Sequence, residues 1–360
     1  MAEFTTLNPG NPAPYFKARS GSNPRFTFDT AAGRYLVLCF LHDAQHPAAK
    51  AAIAAARSRR DLFDDAFASF FGVSTTPGDD ARLKESLPGH RYFFDDDLAV
   101  SRLYGAASED GDRRGIWVIV DPTMRVIETV PFGDDGRGHA RALGILATQL
   151  HPSRFAGFEL QAPILVLPRV FEPSLCAHLV GLYDETGGTS SGFMQQVDGK
   201  TVHVMNADHK VRSDVTIEDA DLIRSIQARI MNRVVPEIAK VHMFHANRME
   251  RYIVSCYAAE DGGHFRAHRD NTTSGTAHRR FAVSINLTDD FEGGEVGFPE
   301  YGPRTFKAPL GGAVVFSCAL LHRVSPVTRG RRYAFLPFLY DDAAAKLRED
   351  NLKHLARDDH

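Results

Sequence analysis

Gly263-His-Phe-Arg-Ala-His268-Arg-Asp270, answered by His322 and by Arg332 ten residues beyond it, is the stretch whose reading decides the fold. A strand over 264–270 would project His268 and Asp270, at i and i+2, to one side of a sheet and turn Arg269 away. His322 opens another β-rich run, Val324 to Val327, and completes a set of two imidazoles and one carboxylate only if a barrel brings the two strands together. Such a set occupies one face of an octahedral Fe(II) and leaves three positions open, enough for a bidentate 2-oxo acid and for O2. In a chain with 16 histidines, His-x-Asp by itself also reads as a solvated turn or a polar strand face.

The surroundings decide between these readings. From Met249 to Tyr340 the chain reads as short strands: Arg251 to Tyr257, Phe281 to Thr288, Glu295 to Phe298, Arg304 to Ala308, Ala313 to Ser317 and Arg331 to Tyr340. Asp261-Gly-Gly, Glu292-Gly-Gly, Tyr301-Gly-Pro and Leu310-Gly-Gly separate them at the spacing of an all-β sandwich or barrel. Phe281, Val283, Ile285 and Leu287 alternate with Ala282, Ser284, Asn286 and Thr288, so one face packs and the other is free to hold a ligand.

Tyr257 through Asp270, Phe291-Glu-Gly-Gly-Glu-Val-Gly-Phe-Pro299, Ala308-Pro-Leu-Gly-Gly-Ala-Val-Val-Phe316 and Leu321 through Arg332 resemble, in this order, the prolyl 4-hydroxylase-type Fe(II)/2-oxoglutarate dioxygenases. The resemblance spans roughly residues 163–342. It implies an α+β double-stranded β-helix, or jelly roll, with supporting helices expected at Pro173 to Tyr183 and Ile217 to Ile238, the second bent or ended by Pro236. It also implies that His268, Asp270 and His322 are the metal ligands and catalytic residues, and that Arg332 binds the distal carboxylate of 2-oxoglutarate. Tyr257 matches a tyrosine that helps hold the co-substrate, and Asn286 falls where relatives carry tyrosine or glutamine. From the residues alone, Tyr257 also reads as a barrel-wall aromatic, and Arg332, beside Arg329 and Arg331, as part of a solvated basic turn. Leu336 and Pro337 depart from the family pattern; they imply a drier co-substrate pocket and a last strand that is bulged or at an edge.

The first half alternates strand and helix: Arg34 to Leu41 and Gly115 to Asp121 are apolar strands, Ala48 to Ala56 an alanine-rich helix, and Phe71-Gly-Val-Ser-Thr-Thr a strand leaving for a loop. Ala13-Pro-Tyr-Phe, Asp95 through Gly105 and Arg114 through Pro122 are similar to the peroxiredoxin branch of the α/β thioredoxin-like fold. That family carries its reactive cysteine at the start of the helix after the first apolar strand, where the helix N-terminus favours thiolate. Here the stretch reads His42-Asp-Ala-Gln-His-Pro-Ala-Ala-Lys50 and holds no cysteine. Cys39 reads as a buried hydrophobe, and His42 and His46 as surface or capping residues.

At 360 residues the chain accommodates two domains. These are expected at 1–153, redoxin-like and non-catalytic, and at 154–345, with a charged helical tail at 346–360. Four scattered cysteines make neither a disulfide framework nor a zinc site. No signal peptide or long apolar run is present, which suggests a soluble, cytoplasmic protein without a membrane partner. A net charge of -3 gives no field to attract nucleic acid.

The resemblance implies hydroxylation of a C–H bond with succinate and CO2 as co-products, Fe(II) as cofactor, 2-oxoglutarate and O2 as co-substrates, and ascorbate as a reductant. The substrate expected first is a prolyl or other side chain of a protein or peptide. A small-molecule oxygenase and a non-enzymatic interaction protein with a vestigial site are the alternatives. Residues 187–214 read either as a lid or as a surface excursion.

Overall fold

The computed structural model describes residues 3–197 and 199–354. Short strands β1 (Lys17–Ser20) and β2 (Phe26–Thr27) lead into β3 (Tyr35–His42), whose apolar run is buried at every position. An apolar run without polar alternation suits a strand covered on both faces. It is followed by α1 (Pro47–Ser58), β4 (Ala68–Ser74), β5 (His90–Phe94), α2 (Ala99–Leu103), β6 (Ile116–Val120), β7 (Val126–Pro131) and α3 (Arg137–Ala147). The strands form one sheet in the order β2-β1-β5-β4-β3-β6-β7, with β3, β4 and β5 parallel and β6 and β7 antiparallel. Ala49, Ala52, Ile53 and Ala56 recur at helical spacing on α1 and pack into the same core as β3. This is a thioredoxin-like domain.

His42 and His46, beside the start of α1, part ways. His46 caps α1 by accepting a hydrogen bond from the Ala48 amide at Nδ1. His42 is buried, contrary to the surface reading, because its positive φ of 62° turns the chain inward and its Nε2 meets the Arg114 carbonyl.

The chain divides into two compact units, one reaching Gln161 and including Pro299–Pro303, the other comprising Ala162–Phe298 and Arg304 onward. The division falls beyond the seam expected at residue 153. The second unit begins with β8 (Leu165–Leu167), α4 (Pro173–Thr186), β9 (Thr189–Ser190), β10 (Phe193–Val197), β11 (Lys200–Val204), β12 (Lys210–Val211) and β13 (Ser213–Thr216). Helices α5 (Ala220–Arg233) and α6 (Val235–His242) replace the single helix expected over 217–238. Pro236 lies in the first turn of α6, where its missing N–H leaves no helical bond unmade.

Strands β14 (Arg248–Glu250), β15 (Ile253–Ala258), β16 (His264–His268), β17 (Phe281–Asn286), β18 (Glu292–Gly293), β19 (Val296–Gly297) and β20 (Thr305–Phe306) come next. After them lie β21 (Ala313–Ser317), β22 (His322–Val324), β23 (Val327–Arg329), β24 (Arg331–Phe335) and β25 (Phe338–Tyr340). One large sheet runs β14-β25-β17-β24-β15-β13-β9, with β21 and β8 joined beside β17; a smaller one runs β12-β16-β22-β19-β20. These are the two sheets of a jelly roll. Phe281, Val283, Ile285 and Leu287 enter the main core with residues of α4, α5 and α6.

The strand expected over 331–340 is two strands broken at Leu336-Pro337, and neither is at an edge. β17 pairs with both, and the Val283 amide donates to the Pro337 carbonyl at 3.1 Å. Proline lacks a donor but keeps its acceptor, so the interruption is a bulge inside the sheet. Helix α7 (Asp342–Asn351) follows β25; Ala344 is buried and Asn351 donates to the Ser274 carbonyl. Residues 355–360 of the charged tail lie outside the described residues.

Glu250 of β14 fixes the segment between Asp270 and β17: it receives His278 Nε2 at 3.0 Å and Arg279 Nε at 2.7 Å. Burial would raise its carboxyl, but His278 and Arg279 hold it down to about 2. A folded-state value below the ordinary 4.5 stabilises the fold above that value, and the contribution fades as pH falls toward 2. The stability advantage of wild type over Glu250→Gln in urea unfolding is therefore expected to be largest at pH 6 and to shrink by pH 3. A constant difference would show that the carboxylate charge is not what holds this segment.

Candidate active site

β16 and β22 are antiparallel neighbours, and their register places His268 directly opposite His322. Asp270 lies two residues past the end of β16 rather than inside a strand to 270; its amide donates to the Cys318 carbonyl at 3.0 Å. The result is the expected i, i+2 convergence: Asp270 Oδ1 is 3.5 Å from His268 Nε2 and Oδ2 is 3.4 Å from His322 Nε2. One ligand atom from each of the three lies within 4.8 Å of the others.

Each ring is oriented by a carbonyl two residues before it, in β16 for His268 and in the turn before β22 for His322. His268 Nδ1 is 2.7 Å from the Arg266 carbonyl and His322 Nδ1 is 3.0 Å from the Leu320 carbonyl. A carbonyl only accepts, so each Nδ1 carries a proton and each Nε2 is the ring nitrogen left facing Asp270. Burial and the neighbouring His268 push His322 down to about 4, leaving a neutral imidazole at neutral pH. Burial would raise Asp270, but His322 and His268 hold it well below the usual carboxylate range. Two imidazoles and one carboxylate with converging ligand atoms fit a divalent transition metal.

Apolar rings screen this cluster from water. Phe265 stacks on His268 with centroids 3.6 Å apart, and Phe316 lies 4.6 Å from His322. His209 sits 5.5 Å from Phe265 and Phe193 4.4 Å from His209. Phe193 belongs to the β10–β11 hairpin, whose Gln196 and Thr201 side chains accept hydrogen bonds from the Ser274 and Gly275 amides. Phe193 and His209 thus form part of the site wall.

Within the large sheet, Tyr257 pairs directly with Arg332 across β15 and β24. Arg332 is 2% exposed. It donates through Nε to Asn286 Oδ1 at 3.0 Å and through Nη2 to Ser284 Oγ at 2.7 Å, while its Nη1 is buried without a partner. The guanidinium therefore has neutral acceptors and no carboxylate. Arg331 and Arg329, by contrast, point outward to Glu260 and Glu292. Asn286, expected as a co-substrate contact, holds Arg332 and donates to the Ala308 carbonyl at 2.7 Å. Leu336 packs beside Tyr257, Phe291, Val324 and Val327, an apolar surround in keeping with a drier pocket.

Sequence reasoning missed Ser284 as a holder of Arg332, although its alternation with Asn286 placed both on the ligand face. It also missed Arg212 and Asp214. Arg212 is buried beside Tyr257 and donates to Asp214 Oδ2 at 2.6 Å. Asp214 also accepts from Ser255 Oγ at 2.6 Å and lies 3.5 Å from Arg251.

Residues 252–340 match the 2OG-Fe(II) oxygenase superfamily, and residues 9–129 match the AhpC/TSA family. A PKHD-type hydroxylase of Pseudomonas fluorescens is 30% identical over 171 residues, which cover 44% of this chain and 74% of that protein. The chain belongs, through its second unit, to the 2OG-Fe(II) oxygenase superfamily. Another PKHD-type hydroxylase, from a Synechococcus species, is 34% identical over 89 residues, covering 23% of this chain and 39% of that protein. The chain thus spans about two fifths of the length of the first curated relatives it matches. A solved Pseudomonas putida prolyl-4-hydroxylase, 14% identical, covers 56% of this chain and 98% of its own with a TM-score of 0.38. Membership of the 2OG-Fe(II) oxygenase superfamily implies Fe(II), 2-oxoglutarate and O2; the first unit is an AhpC/TSA-type thioredoxin-fold domain.

A buried cation without an anion is destabilising, whereas removing one partner of a buried ion pair costs about 3–5 kcal/mol. In the ligand-free oxygenase, Arg332→Met is therefore expected to melt at or above wild type, and Asp214→Ala, which strands Arg212, to lose about 3–5 kcal/mol. Chemical denaturation of both variants tests this; a large loss in Arg332→Met would mean that the cation is already compensated.

Proposed function

We propose that the protein is an Fe(II)- and 2-oxoglutarate-dependent hydroxylase acting on a prolyl or other side chain of a protein or peptide, with succinate and CO2 as co-products. The observation that carries this reading is the pairing of a converged His268, Asp270 and His322 cluster with a buried, anion-free Arg332 in one jelly roll. When bound, Fe(II) supplies a Lewis-acidic redox centre with positions open to the 2-oxo acid and O2. His268, Asp270 and His322 would hold it. Arg332, positioned by Asn286 and Ser284, offers its free Nη1 to the distal carboxylate, and a planar guanidinium suits that task. Phe265, Phe316 and Leu336 keep water from the reacting centre. The name PKHD-type hydroxylase borne by its relatives supports hydroxylation as the outcome. The complete triad supports turnover over a vestigial site.

The redoxin-like unit is proposed to be non-catalytic, serving to dock or present a substrate. Cys39 is wholly buried in β3, and burial pushes its thiol far above the ordinary range, so it offers no thiolate. Peroxide consumption with a dithiol reductant is expected to match the protein-free rate and to be unchanged by Cys39→Ser. Cysteine-dependent turnover would reverse this assignment.

Anaerobic titration is expected to show one Fe(II) per chain, with binding and turnover lost in His268→Ala and Asp270→Ala. Arg332→Met should raise the apparent 2-oxoglutarate constant about ten- to hundredfold, since a charge-assisted hydrogen bond is worth about 1.5–3 kcal/mol. Arg331→Met should change it little. Succinate release measured with candidate peptides and with small metabolites separates the macromolecular substrate from the small-molecule alternative. Normal turnover by both ligand variants would rule out the triad.

A further inference from the structure

Arg212 sits one residue before β13 and is 6% exposed. Its guanidinium carbon lies 5.8 Å from the Tyr257 ring centroid, and that of Arg332 lies 5.3 Å from the same ring. The tyrosine is thus shared by two buried cations. Arg212 Nη1 donates to the Tyr257 hydroxyl at 3.4 Å, Nη2 donates to Asp214, and Nε is buried without a partner. Asp214 is shared with Arg251 and Ser255, so a single carboxylate faces Arg212 and Arg251 while Arg332 has none. With Arg212 and Arg332 buried against Asp214, one positive charge is in excess, which the distal carboxylate of a dianionic 2-oxo acid would neutralise and a 2-oxo acid lacking that group would not.

A hydroxyl that accepts from a guanidinium must direct its own proton elsewhere. We propose that Arg212 is a second cationic residue of the 2-oxo-acid pocket, which turns the Tyr257 hydroxyl into a donor toward the bound carboxylate and restricts the pocket to dianionic 2-oxo acids. Arg212 acts here as a positioning and specificity residue, with Asp214 holding its fork in place. The inference rests on the proposed role of Arg332 as carboxylate anchor.

The test is calorimetric binding, without turnover, of 2-oxoglutarate and of the monoanion 2-oxobutanoate to the full chain loaded with Mn(II). Arg212→Gln, which removes the charge and the guanidinium donor to the Tyr257 hydroxyl, is expected to weaken 2-oxoglutarate roughly tenfold, the scale of one charge-assisted hydrogen bond, and to change 2-oxobutanoate less than about twofold. Because Arg212 acts through Tyr257, Tyr257→Phe should weaken 2-oxoglutarate several-fold in the wild-type background and have almost no effect beside Arg212→Gln. Independent, multiplying effects of the two changes, or equal losses for both acids, would overturn the proposal. If Arg212→Gln does not fold, the ratio of the two affinities in Tyr257→Phe decides: it must fall, and an unchanged ratio overturns the proposal. Arg332→Met separates the two levels of the argument. Its having no effect on 2-oxoglutarate sinks the anchor itself, whereas an effect there with none in Arg212→Gln sinks only the role of Arg212.

Discussion

The cross-strand pairing of His268 with His322 is the constraint on which the site depends. Opposite residues of an antiparallel pair share a face, and a slip of one residue would turn one imidazole out of the barrel. The carbonyls of Arg266 in β16 and of Leu320 just before β22 then fix the rings, so the nitrogen that faces Asp270 is set as well as the position of each ring. Asp270 needs only to leave β16 and bond Cys318 to meet both.

A second constraint is electrostatic. The large sheet carries Arg332 inside the barrel with neutral hydrogen-bond acceptors, an arrangement that lowers stability by leaving a buried cation without an anion. Proteins tolerate such local conflict at functional positions when the surroundings over-determine the fold. Here the surroundings are the main core beneath β17 and the helices that cover it. The bulge at Leu336-Pro337 lets β24 and β25 stay paired with β17 while an apolar side chain enters the pocket beside Tyr257.

The thioredoxin-like unit keeps its fold without a cysteine at the start of its first helix. Its central strand, the helix that follows and the His46 cap preserve the scaffold on which a cysteine would be activated, yet the turn offers imidazole, carboxylate and amide groups and no sulfur. A fold positions groups; it does not supply them.

Local pattern sufficed for much of this. The alternation in 281–287 separated core from ligand face, the Gly-Gly turns marked the strand ends, and the spacing of His268, Asp270, His322 and Arg332 pointed to the site, because a period of two in a strand converts sequence distance directly into direction. Arg212 and Asp214 were not legible in the same way: they lie in a polar stretch whose composition is that of a surface loop, and only the pairing of β13 with β15 carries them inside beside Tyr257. The break at Val234, the bulge at Pro337 and the burial of His42 likewise depend on partners distant in sequence. Periodicity reports which way a side chain points, whereas what it points at is decided by tertiary packing, through contacts whose two halves are far apart along the chain.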